Sequence, residues 1–116
     1  MRIWDIEPKF LCRSHLLGEH RELHAIWSVI VKNKKGYSQH PETKRWQGKL
    51  KALYWRHEKL VKEMARRGYQ HYSFLDKRLA RGKAKQNYLL DSLTKQRNLL
   101  KNKKCPCFIK TKKETQ

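Results

Sequence analysis

Glu19, Arg21 and Glu22 lie within one turn's length of chain, in a segment that also carries His15 and His20. A carboxylate beside a fixed cation is favoured in its ionised form, so this group is a candidate for acid–base chemistry. Glu19, as a like charge, disfavours ionisation of Glu22, whereas Arg21 favours it. Such charges on an amphipathic helix are usually solvated; a place beside the apolar stripe sets Glu22 apart. His15 and His20 read equally as partners of a ligand or as helix decoration. His40, His57 and His71 lack the carboxylate or cysteine spacing of a metal nuclease. The three cysteines, Cys12, Cys105 and Cys107, form no disulfide framework and point to a reducing compartment. Cys105-Pro106-Cys107 pairs two thiols without further ligands in sequence, so no metal is expected.

The elements that must position these residues are helices. Trp4, Ile6, Phe10 and Leu11 anchor an extended, ordered arm over residues 1–13, in which Pro8 blocks an early helix. Ser14 is the expected N-cap of a helix reaching about Asn33, with Leu16, Leu23, Trp27 and Ile30 inward and His15, Glu19, Glu22, Ile26 and Val29 on the adjoining stripe. Pro41 begins a short helical turn through Trp46. A second long helix follows from Leu50, Leu53, Tyr54, His57, Leu60, Val61 and Met64, with Gly68 as its left-handed cap. A third is expected from about Lys83 to Leu100, facing inward through Leu89, Leu90, Leu93 and Leu100. Trp27, Tyr54, Trp55 and Tyr88 fall on helical stripes and read as core rather than as base-stacking platforms; Trp46 is left open between the two.

The chain has 116 residues and a net charge of +19, enough for one domain and strongly drawn to a polyanion. The charge is spread along the chain: residues 1–68 carry 16 basic and 7 acidic side chains, and residues 69–116 carry 13 and 3. No apolar run approaches a membrane span, and no signal-peptide core follows Met1, so a cytoplasmic protein without a membrane partner is expected. Residues 101–116, rich in lysine, read as a basic tail that is mobile without DNA. Charge alone would equally suit a non-catalytic DNA- or RNA-binding module.

Leu16-Leu17-Gly18-Glu19-His20-Arg21-Glu22-Leu23 resembles the pyrimidine-dimer DNA glycosylase/AP lyase family, whose phage members are called endonuclease V. His15, Glu19, Arg21, Glu22 and Leu23 occupy positions that match the family's. Arg2-Ile3 resembles the family's start, and Lys59-Leu60-Val61-Lys62-Glu63-Met64 with Arg66-Arg67-Gly68-Tyr69 resembles the end of its second helix. His40-Pro41-Glu42-Thr43 and Arg45-Trp46 look like its cellular branch. The resemblance covers about two thirds of the chain. It implies an all-α, compact single-layer bundle of three main helices over residues 1–116, a monomer without obligate protein partner, no metal or organic cofactor, and damaged double-stranded DNA as substrate.

The resemblance also implies a mechanism. The α-amine of the first residue attacks sugar C1′, the damaged pyrimidine leaves, and an imine forms; a Glu, here Glu22, takes the C2′ proton for β-elimination. Met1, Arg21 and Glu22 are thus the expected catalytic residues. Phage members expose a Thr after losing Met, whereas here Met1 itself stands at that position, and the bulky Arg2 after it disfavours Met removal. An α-amine of pKa near ~7.8 has, at pH 7, roughly four hundred times the neutral fraction of a lysine near ~10.4. Arg2, His15, His20, Arg21, Trp46, Lys101, Lys103 and Lys104 are the expected DNA contacts, most of them to phosphates. Where the phage family ends in an aromatic-rich segment this chain has Phe108 among lysines, which leaves abasic sites or other damaged bases open as substrates.

Overall fold

In the computed structural model, residues 2–36, 39–70, 73–102 and 107 are described. Helix α1 spans Arg13–Val31 and buries Leu16, Leu23, Ile26, Trp27 and Val29 along one stripe. Its N-cap is Cys12, whose carbonyl accepts the Leu16 N–H at 2.8 Å, so the helix opens two residues before the expected Ser14 cap. Helix α2, Pro41–Trp46, starts at its proline as expected, and His40 Nδ1 accepts the Glu42 N–H. Helix α3, Leu50–Arg66, buries Ala52, Leu53, His57, Leu60 and Met64 against α1. It closes in a Schellman motif: Tyr69 N–H bonds Met64 O, Gly68 N–H bonds Ala65 O, and Gly68 takes φ +81.

The last helix departs from the sequence expectation. Helix α4 spans only Leu93–Asn102, because Ser92 caps it, its Oγ accepting the Lys95 N–H at 3.1 Å. The stretch expected as its first half is extended and serves α3 instead. Lys51 and Ala52 N–H groups, at the open end of α3, bond the carbonyls of Arg81 and Lys83, and Lys83 N–H bonds Gly48 O. This satisfies donors that a helix start leaves orphaned. Leu100 is fully buried, whereas Leu90 and Leu93 are exposed. Trp55 and Tyr88, expected in the core, are 48% and 57% exposed. Trp55 lies two residues from both Leu53 and His57, off the three-and-four spacing that faces α1.

Residues 2–12 form the docked arm, with a 3-10 turn at Pro8–Phe10. Ile3, Trp4, Ile6 and Leu11 are buried in the common core with Leu16, Leu53, Leu60, Met64 and Leu100. Each large apolar side chain so buried contributes about 1.5–3 kcal/mol. Among the described residues there is no strand beyond an isolated Lys49–Gly82 bridge, and no helix is long and apolar enough to cross a membrane. Of the expected tail, Lys101 and Asn102 complete α4 and Cys107 is buried, and the rest lies outside the described residues.

Candidate active site

The arm meets α1 through its backbone. Trp4 N–H donates to Glu19 Oε1 at 3.1 Å, and Arg56 of α3 holds the same carboxylate through Nε at 2.6 Å and Nη2 at 3.0 Å. Glu19 is thus a buried joint between arm, α1 and α3. Burial pushes its carboxyl above the ordinary 4.5, and Arg56 and the Trp4 N–H only partly offset that push.

Further along the arm, Arg45 of α2 is 1% exposed. It donates through Nε to Glu42 at 2.7 Å, through Nη1 to both Asp5 oxygens at 3.0 Å and to Tyr88 O, and through Nη2 to Ile3 O. Gln96 of α4, also buried, accepts the Asp5 N–H at 2.8 Å and donates to the Asp5 carboxylate and Asp91 O. Arg67, from the end of α3, donates to the carbonyls of Pro8 and Leu11. The amino-terminal segment is therefore held by polar side chains from every helix.

Glu22 sits one turn beyond Glu19 on α1. It is half-buried, and among the described residues no hydrogen bond or ion pair engages it. Arg21 beside it is exposed and likewise unengaged among the described residues. The two carboxylates thus have different surroundings: Glu19 is held by the Trp4 N–H and Arg56, whereas Glu22 has no such partner among the described residues.

A family model for pyrimidine dimer DNA glycosylases matches residues 1–77. The chain belongs to that family. No curated protein and no solved structure gave a significant match. The family match contains the arm, α1, α2 and α3, and with them Glu19, Arg21, Glu22 and the Arg45 hub. This DNA repair glycosylase fold is completed by a segment outside the match, since α4 supplies Gln96, and Asp91, just ahead of that helix, binds Arg2 of the arm.

The remaining expected contacts separate in three dimensions. Arg2 pairs with Asp91 and stacks on the Trp4 ring, its carbon 4.8 Å from the centroid. Trp46 is 2% exposed and donates to Glu42 Oε1, so it is a core residue and offers no face to a base. His20 belongs to a cluster with His24 and His57, in which the Nε2 atoms of His24 and His57 lie 3.1 Å apart. His15 stands against Cys12 and Cys107. That grouping corrects the expectation that Cys107 lacks further ligand-type neighbours. Lys101 is exposed near the end of α4, and Met1, Lys103 and Lys104 lie outside the described residues, as do His71 and Cys105.

Sequence reasoning missed Arg45, Gln96 and Asp91 as fasteners of the arm. Only Ser92 left a local trace, as a helix cap that shortens α4; the others are ordinary polar residues until the fold brings their partners to them. It also missed the exposed Trp55, which lines a cleft of about 210 Å³ with Asp5, Arg56, Lys59 and Gln86.

Proposed function

We propose that this protein removes cyclobutane pyrimidine dimers from double-stranded DNA as a glycosylase and then cuts the strand as an AP lyase, with the amine of Met1 as nucleophile and Glu22 as base. The amine lone pair forms the bond to C1′ as the bond to the pyrimidine breaks, the base leaving with that electron pair and gaining a proton. The bound nitrogen then loses a proton and its electron pair forms the C1′=N bond as the C1′–O4′ bond breaks, so the sugar ring opens with O4′ taking a proton and the imine results. Glu22 takes the C2′ proton, the electrons form the C2′–C3′ double bond, and the 3′ phosphate departs. Water releases the sugar and restores the amine.

The observation that carries this reading is the Trp4 N–H bond to Glu19. Three residues of chain reach at most about 10 Å, and Glu22 lies about 4.5 Å along the axis of α1 from Glu19. A chain start tethered there is within reach of the free carboxylate. Arg21, exposed next to Glu22 in the chain, serves as the phosphate clamp. Selection rests on the lower cost of extruding a nucleotide where a lesion has already unstacked the duplex.

Borohydride added during reaction with dimer-containing DNA is expected to trap a covalent complex, whose mass maps to residue 1. Acetylating the terminus should abolish the adduct, and Glu22→Gln should bind damaged DNA while cleaving it at least a hundredfold more slowly. An adduct that survives acetylation, or that maps to a lysine, overturns the assignment of the nucleophile.

A further inference from the structure

His15 stands between two sulfurs: its Nδ1 lies 3.1 Å from Cys12 Sγ and 3.2 Å from Cys107 Sγ. The three ligand atoms fall within 4.8 Å of one another. Both thiols are buried, 2% exposed, and unlinked, and the Cys12 N–H donates to Cys107 Sγ at 3.0 Å. We propose that Cys12, His15 and Cys107 form a structural zinc site that fastens the lysine-rich carboxy-terminal stretch to the amino end of α1.

The geometry suits the ion. Zinc with bonds of about 2.3 Å to sulfur and about 2.0 Å to nitrogen holds tetrahedral N and S ligands about 3.6 Å apart. The observed separations need to open by only a few tenths of an ångström. The donor set suits it as well, since thiolate and imidazole together favour zinc over the oxygen-seeking cations. Two thiolates cancel the ion's charge, so it adds no net positive charge to a chain already at +19. Cys12 is the N-cap of α1 and His15 is in its first turn. The Cys12 N–H to Cys107 sulfur bond is the support a metal-bound thiolate accepts from its surroundings.

The position of Cys107 supplies a second argument. It lies 95 residues from Cys12 in the chain, in a stretch that holds Lys103, Lys104, Lys110, Lys112 and Lys113 and, as large apolar residues, only Phe108 and Ile109. Apolar burial offers such a segment little, and mutual repulsion of cations opposes its docking. Metal–ligand bonds provide the missing folding free energy.

The full chain, expressed in zinc-supplemented medium and purified without chelator, is expected to hold about one zinc per chain by elemental mass spectrometry. Exchange with cobalt(II) should give sulfur-to-cobalt charge-transfer absorption, which the all-imidazole cluster of His20, His24 and His57 cannot produce. Cys12→Ser and Cys107→Ser should each lower zinc affinity at least tenfold. The wild-type chain itself gives the control for misfolding: chelation should lower its melting temperature, and zinc, but not magnesium, should restore it. A wild-type chain that carries no zinc and stays colourless with cobalt overturns the site, as does a Cys12–Cys107 disulfide found by mass. These readouts are metal content and melting rather than DNA cleavage, so their failure leaves the glycosylase reading standing.

Discussion

Glu19 and Glu22 differ by one helical turn and by everything that surrounds them. Removing Glu19 as Ala leaves Arg56, 10% exposed, without its counter-ion, and this is expected to cost about 3–5 kcal/mol in urea unfolding. Its titration gives a second, sharper expectation. Because burial raises the folded carboxyl above 4.5, the folded state holds that proton more tightly than the unfolded chain. Stability from this group is therefore fully present below 4.5 and is lost as pH rises through the folded value. Comparing wild type with Glu19→Gln from pH 4 to pH 8, the wild-type advantage should shrink as pH rises. An advantage that grows with pH would mean that Arg56 outweighs desolvation. Glu63 behaves oppositely: burial pushes it up, but hydrogen bonds from Arg66 and Arg67 outweigh that and hold it below its ordinary value. Its contribution is therefore lost only as pH falls through that lowered value, below 4.5.

At the scale of elements, the arm depends on Arg45. Its fork serves Glu42, Asp5 and two carbonyls at once, a geometry that the single ammonium of lysine cannot reproduce. Arg45→Met strands the buried Glu42 and should cost about 3–5 kcal/mol. Arg45→Lys should recover less than half of that by the same unfolding measurement. If the arm carries the nucleophile, cleavage of damaged DNA should fall further than stability alone explains. The extended segment before α4 rests on a different device. Gly82, at φ +86, lies so close to the Gly48 carbonyl that a Cβ would fall on its oxygen, whereas Gly68, at φ +81, has open space. Gly68→Ala should therefore cost only the left-handed penalty of about 1–2 kcal/mol. Gly82→Ala should cost clearly more, and equal losses in the two variants would show that the Gly48 turn yields.

Across the whole molecule the governing quantity is charge. Lysines and arginines outnumber acidic groups 29 to 10, and the acidic groups Asp5, Glu19, Glu42, Glu63 and Asp91 are spent on internal ion pairs with arginines. The outward field is therefore cationic. If the tail lysines engage six phosphates, the logarithm of the DNA association constant should fall with the logarithm of salt at a slope of about −5. Fluorescence anisotropy between 50 and 200 mM salt measures this. A slope near −2 would mean that the tail lies off the duplex.

Helices α1, α2 and α3 were legible in the sequence because their signals are local: apolar residues three and four apart, Pro41 at a first turn, Gly68 at a left-handed cap. The charged motif from Glu19 to Leu23 was legible in the same way, since one helix turn gathers it. Tertiary structure alone decided which charges are structural. Arg45 and Gln96 look like surface residues in the chain, and Glu19 only flanks the apolar stripe, yet all three are buried in the fold, because a polar group is buried only where partners distant in sequence meet it. For the same reason Trp46 turned inward and Trp55 outward, and Ser92 rather than leucine periodicity set the start of α4. Cys12, His15 and Cys107 carry no joint pattern across some ninety residues; only chain closure through α4 brings their donor atoms into one shell.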